Sequence, residues 1–171
     1  MQFLIFDTET TGLPINWKAP MTQIDNWPRV IQLAWILCDV NGIELNRGKY
    51  LIRPEGWTMP TGDFWKENGF THEKSVLEGI EIEKVLDLFI ADLETADFIV
   101  SHNMSFDYNV LGAEMIRANK KGKRAIRICT KELSTDYCKI PGKYGNKWPT
   151  LTELHVKLFD QVFPKSKKLS N

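Results

Sequence analysis

Apolar residues recur with two different periods along this chain, and the switch between them divides it. Gln2–Asp7 is a short apolar run closed by an acid, and Val30–Val40 and Ile43–Arg53 are two further strand-like runs. Asn41-Gly42 lies between the last two, and both residues tolerate the positive φ that a tight hairpin turn requires. After Pro60 the spacing becomes helical. Ile82, Val85, Leu86, Phe89 and Leu93 recur every three or four positions and predict an amphipathic helix over Ile80–Thr95. Asp97–Ser101 (DFIVS) reads as a buried strand, Ser105–Asn119 as a second helix with Ser105 as its N-cap, and Ala125–Cys129 as a further short strand. Leu151, Leu154 and Leu158 predict a last helix that starts just after Pro149. The order β-β-β-α-β-α-β-α predicts an α/β fold, a mixed five-stranded sheet with an antiparallel opening and flanking helices. Several mixed sheets share that order, and periodicity does not choose among them.

Composition narrows the class. A chain of 171 residues, 43% hydrophobic and 26% charged, fits one globular domain and excludes disordered and fibrous classes. No apolar run approaches the roughly 20 residues of a membrane helix, and MQFLIFDTET has no basic segment ahead of its apolar stretch. The expectation is a cytoplasmic protein without a membrane partner. Cys38, Cys129 and Cys138 are odd in number, widely spaced and outside any CxxC, so reduced structural thiols are expected. Charge is uneven: residues 1–114 hold 8 Lys+Arg against 18 Asp+Glu, and residues 115–171 hold 14 against 4. An acidic metal-holding half beside a basic phosphate-attracting half would look like this. Taken alone, the asymmetry reads as solvated surface, because residues distant in sequence interleave in space.

Candidate chemistry begins at the end of the first strand. Asp7 and Glu9 are two apart on an extended chain and so point to one face. Two unneutralised carboxylates repel, and hard oxygen ligands suit Mg²⁺ or Mn²⁺; a polar strand-end turn is the plainer reading of the same residues. Asp107 falls in the first turn of the second predicted helix, on a stripe with Leu111, Met115 and Ala118. An acid on a stripe that faces the sheet is costly unless a charge or hydrogen bond receives it, although an acid there also complements the helix dipole. His102 and Phe106 read equally well as a hydrogen-bonded strand-end histidine and a core aromatic.

These residues sit in a recognisable pattern. FDTETTG at Phe6–Gly12 and SHNMSFD at Ser101–Asp107 resemble the first and second exonuclease motifs of the DEDD superfamily of 3′→5′ exonucleases, which includes proofreading subunits, ribonuclease T and oligoribonuclease. RVIQLA at Arg29–Ala34, GFT at Gly69–Thr71 and KWPTLTELHVKLF at Lys147–Phe159 resemble the family's connecting segments, so the resemblance runs through nearly the whole chain. It implies a ribonuclease H-like sheet, with Asp7, Glu9 and Asp107 lining a two-metal Mg²⁺ or Mn²⁺ site. It also implies that Thr8, Thr10, Thr11, Leu13, His102, Asn103 and Phe106 contact the terminal nucleotide of a DNA or RNA 3′ end. Two ions about 3.5–4 Å apart would activate a water and stabilise the attacking and leaving oxygens at phosphorus.

The family's third motif, HxxxxD or YxxxD near the C-terminus, supplies a fourth acid and a proton acceptor. Toward the C-terminus the one literal match is His155–Asp160 (HVKLFD), which falls inside a predicted helix that would point its two ends about 140° apart, with His155 beside Leu151 on the buried face. It is read as a chance match. Residues 1–171 are therefore expected to be a single exonuclease domain cut before its third motif, catalytically incomplete and mobile over residues 165–171. The alternative is a natural inactive nucleic-acid-binding or scaffold module on the same fold. A phosphatase or ATPase is disfavoured, because DxDxT, a glycine-rich phosphate loop and GK[ST] are all missing from the sequence. The sequence does not read out a homodimer or a polymerase partner, nor does it choose between DNA and RNA. Of Trp17, Trp27, Trp35, Trp57, Trp65 and Trp148, most are expected in or near the core, with base stacking open to any left exposed.

Overall fold

The computed structural model describes residues 1–162; the expectations for residues 165–171 lie outside them. Five strands form the main sheet: β1 (Gln2–Thr10), β2 (Val30–Asp39), β3 (Glu44–Leu51), β4 (Phe98–Ser101) and β5 (Ile126–Cys129), in the order β3-β2-β1-β4-β5. β1 pairs antiparallel with β2 and β2 with β3, whereas β1–β4 and β4–β5 are parallel. At the β2–β3 turn, Asp39 accepts from the backbone N–H groups of Asn41 and Ile43 with one carboxylate oxygen, and Gly42 takes φ 78°. This is the hairpin that Asn41-Gly42 predicts.

Strand alternation sorts β1 onto two faces. Leu4, Phe6 and Thr8 are buried, while Ile5 and Asp7 are exposed on the other side. Against the buried face, beside Leu33, Trp35 and Leu37 of β2, pack α3 (Ile82–Leu93) and α4 (Met104–Arg117), through Val85, Leu86 and Phe89 and through Val110 and Leu111. Burying each such side chain contributes about 1.5–3 kcal/mol. Trp35 lies across Gly48, where an added Cβ would come within 2.3 Å of the indole, and its Nε1 donates to the buried Asp92 at 2.6 Å. A glycine in mid-strand is thereby explained: Trp35 occupies the space its side chain would need.

The elements match the sequence expectations with boundary changes. Two short helices, α1 (Asp63–Glu67) and α2 (His72–Glu78), precede α3. After β5 come α5 (Thr130–Leu133), α6 (Thr135–Cys138), a two-stranded hairpin of β6 (Pro141–Gly142) and β7 (Gly145–Asn146), and α7 (Leu151–Phe159). α7 starts just after Pro149 as expected, with Thr150 and Glu153 forming a reciprocal capping box. Two local expectations are corrected. α4 is capped by Asn103 in a left-handed conformation, φ 107°, and Ser105 is already inside the helix. Leu151 is exposed and His155 half-exposed, so His155 does not lie on a buried face; Leu154 is the buried residue of α7. Among the described residues no helix is long and apolar enough to cross a membrane.

Candidate active site

β1 outruns β4. The parallel pairing ends at Ile5–Val100 and β4 ends at Ser101, whereas β1 continues against β2 to Thr10 with a register shift after Glu9. The carboxyl ends of these neighbouring strands therefore leave a gap, the place where open α/β sheets bind ligands. The N-terminal turn of α4 fills one side of it and brings in Asp107.

Asp107 is 3% exposed and accepts a 2.7 Å hydrogen bond from the hydroxyl of Thr8, itself buried on the helix-facing side of β1. Thr8 is thus the partner that an acid on this stripe requires. Burial pushes the Asp107 carboxyl up to about 7, opposed by the hydroxyls of Thr8 and Ser101 and reinforced by the charge of Asp7. Asp7 keeps an open side to solvent, yet the chain around it desolvates its carboxyl and raises its pKa, against the Thr8 backbone N–H and the charge of His102. Glu9 is raised by burial and then by Asp7. Asp7 is accordingly the centre of the group, coupled to Glu9 on its own strand and to Asp107 on α4.

The donor set fits a hard divalent cation. All three groups are carboxylates; desolvation raises all three and the charge of Asp7 adds to the rise of Glu9 and Asp107, costs that a bound cation would offset. Their side-chain placement is more open than a closed ligand shell: among the described residues no three His, Cys, Asp or Glu side chains stand together as a metal-holding group. The physical reason is the strand alternation, which directs Asp7 to the open face, while Thr8 draws Asp107 toward the helix-covered one.

The other residues singled out in the sequence occupy this end of the sheet in different ways. Thr10 donates to the carbonyl of Gly12, and its own carbonyl accepts from Trp65 Nε1 at 3.1 Å. Thr11 exchanges two bonds with Arg29, its N–H to the Arg29 carbonyl and its hydroxyl accepting the Arg29 N–H. Leu13 is 71% exposed at the rim. Phe106 packs partly into the core, with the half-exposed Trp17 ring 5.7 Å away. His102 has both ring nitrogens engaged: Nδ1 lies 3.0 Å from Thr130 Oγ1 and Nε2 lies 3.0 Å from the Pro149 carbonyl. A carbonyl only accepts, so Nε2 carries a proton. Asn103 Oδ1 accepts from Lys131 Nζ at 2.6 Å, across the same seam.

A second layer of the site was not legible in the sequence. Glu114, 1% exposed, accepts through Oε1 from Arg29 Nε at 2.8 Å and from the Val30 N–H at 3.0 Å, with Arg117 Nη1 3.2 Å away. It fixes the start of β2, and through the Thr11–Arg29 pair the end of β1. An acid seven positions after Asp107 shares its helix face, and that spacing was the available signal. On the opposite face of the sheet lies a cleft of about 430 Å³, floored by Ile5, Asp7, Ala34, Ile36 and Val100 and edged by His102.

Neither a protein-family model nor a curated protein matches the chain. Solved structures do. A product-bound exonuclease I superposes with a TM-score of 0.65 at 17% identity, over 83% of this chain and 33% of that one. Escherichia coli exonuclease I in complex with a 5cy-dA13 oligonucleotide gives 0.66 at 15% identity, over 86% and 34%. A moderately thermophilic exonuclease I from Methylocaldum szegediense gives 0.63 at 15% identity, over 83% and 30%. The chain spans about a third of the length of these proteins. Its mixed five-stranded sheet with flanking helices is the ribonuclease H-like α/β fold of exonuclease I.

Proposed function

We propose that this chain is a metal-dependent 3′→5′ exonuclease domain that hydrolyses phosphodiester bonds at the 3′ end of DNA or RNA and releases nucleoside monophosphates. The reading is carried by the coupling of Asp7 to both Glu9 and Asp107 at the carboxyl end of β1, with Asp107 raised to about 7 by burial. The superposed structures are exonucleases, one bound to its product and one in complex with an oligonucleotide, and this adds weight. Mg²⁺ or Mn²⁺ held by Asp7, Glu9 and Asp107 would supply Lewis-acid activation of water and charge stabilisation at phosphorus. Thr10, Leu13 and Phe106 would border the terminal nucleotide, and Thr8 would hold Asp107 in place. Asn103 and His102 would brace the pocket wall through Lys131, Thr130 and Pro149.

A second reading has its own support. The charged groups that act on the three carboxylates are Asp7 and His102, whose ring nitrogens are both engaged, so among the described residues no further proton acceptor stands beside them. A binding module of the same fold with little or no turnover would have this arrangement, since losing a positioned base costs about 10²–10⁴-fold. Linear and circular single strands incubated with Mg²⁺ or Mn²⁺ separate the readings. Mononucleotide release from linear strands alone supports the exonuclease, and oligonucleotide binding without release in either metal supports the module.

A further inference from the structure

Behind the candidate site, the segment from Thr130 to Pro149 forms an arm whose charge and aromatic content the three carboxylates do not explain. Between Arg127 and Lys147 five basic residues face two acidic ones. Its tip is the two-residue turn Lys143-Tyr144 between β6 and β7, where Tyr144 is 91% exposed with Lys143 Nζ 5.1 Å from its ring. Nearer the site Trp148 is 62% exposed, with Lys131 Nζ 4.2 Å from its ring. Exposed aromatics of this size, each carrying a cation on its face, are not core residues.

The arm is tied to the pocket wall at three points. His102 bonds Thr130 at its start and Pro149 at its end, and Lys131 bonds Asn103, the cap of α4. Asn146 Nδ2 donates to Asp136 and holds the hairpin against α6. Lys147 is paired with Glu153, which leaves Lys143 and Lys131 as the cations beside the two rings. The five residue-to-residue steps from Tyr144 to Pro149 span at most about 18 Å of extended chain, close to five stacked nucleotides at about 3.4 Å each.

We propose that this arm is the track for single-stranded nucleic acid 5′ of the terminal nucleotide, with bases stacking on Trp148 and Tyr144 and phosphates facing Lys131 and Lys143. The assignment rests on the site reading above, because the strand's 3′ end is taken to lie at Asp7. Aromatic platforms interleaved with lysines suit a flexible strand whose bases are free to stack, and stacking is indifferent to base identity.

Fluorescence anisotropy with labelled oligodeoxythymidylates and oligouridylates of 3 and 12 nucleotides tests the assignment. Lys143→Ala/Tyr144→Ala should weaken the 12-mer by roughly 5- to 150-fold on whichever polymer binds, and leave the 3-mer unchanged. Replacing the second change by Tyr144→Trp, in Lys143→Ala/Tyr144→Trp, should restore most of the loss, and Lys143→Ala alone should reduce the salt slope by about 0.7. Circular dichroism on the same variants checks that the exposed turn is replaced without unfolding. Equal 12-mer affinity in wild type and double variant, or equal losses for both lengths, overturns the track while leaving the exonuclease reading intact. Failure of the wild type to bind either polymer overturns both.

Discussion

Thr8 and Asp107 are joined by a 2.7 Å hydrogen bond that spans 99 positions of sequence and links β1 to α4 inside the molecule. It holds a buried carboxyl in place at the point where β1 outruns β4. Thr8→Val keeps the side-chain shape and removes the donor. A lost bond to a charged buried group costs about 1–3 kcal/mol, so urea unfolding at pH 8 should show a loss of that size and at pH 4 a smaller one. Equal losses at both pH values would mean that the hydroxyl does not serve the Asp107 carboxylate.

Stability should depend on pH through the same residue. Asp107 sits at about 7 in the folded chain, against about 3.9 in an unfolded one, so the folded state binds more protons between those values. Its contribution is fully present below about pH 4 and is lost as pH rises through 7, by up to about 1.4 kcal/mol per pH unit. Asp7 and Glu9 are shifted in the same direction. The difference in unfolding free energy between wild type and Asp107→Asn should therefore change across pH 4–7. Mn²⁺ should stabilise the wild type more at pH 8 than at pH 5. A pH-independent difference would show that Asp107 is not held above the ordinary carboxylate range.

Removing the Glu114 carboxylate should be more damaging than removing any carboxylate of the candidate site. Glu114→Ala leaves Arg29 and Arg117 without the carboxylate they share, and breaking a buried ion pair costs about 3–5 kcal/mol. The fall should be visible in thermal unfolding without any divalent ion. A loss below about 1 kcal/mol would mean that water replaces the carboxylate at no great cost.

The fold was legible because its elements obey single periods. Ile82, Val85, Leu86, Phe89 and Leu93 announce α3, and Asn41-Gly42 announces the β2–β3 turn. Asp107 could be singled out for the opposite reason, as an acid on an otherwise apolar helix stripe, and Asp7 by its two-residue spacing from Glu9 at the end of a strand. Features that depend on two distant segments were not visible. Nothing local shows that Asn103 rather than Ser105 caps α4, since the choice turns on a left-handed backbone stabilised across the seam by Lys131. Nor does the sequence show that Thr8 points away from Asp7 toward Asp107, or that His102 spends both nitrogens on Thr130 and Pro149. Strand alternation explains the first; the second requires the fold itself.

The central claim is that Asp7 organises a divalent-metal site that cuts at a 3′ end, and a single-turnover assay addresses it most directly. Protein in excess over a single-stranded oligonucleotide labelled at its 3′ nucleotide allows even a slow site to complete one cleavage. With Mn²⁺ present, the labelled mononucleotide should be released in step with a 5′-labelled product one nucleotide shorter, and well before any 5′-labelled mononucleotide appears. Chelation of the metal or Asp7→Ala should abolish that release in protein whose circular dichroism is unchanged. Release that persists in the Asp7→Ala protein or in chelator, or bound substrate that stays intact through prolonged incubation, would contradict the account.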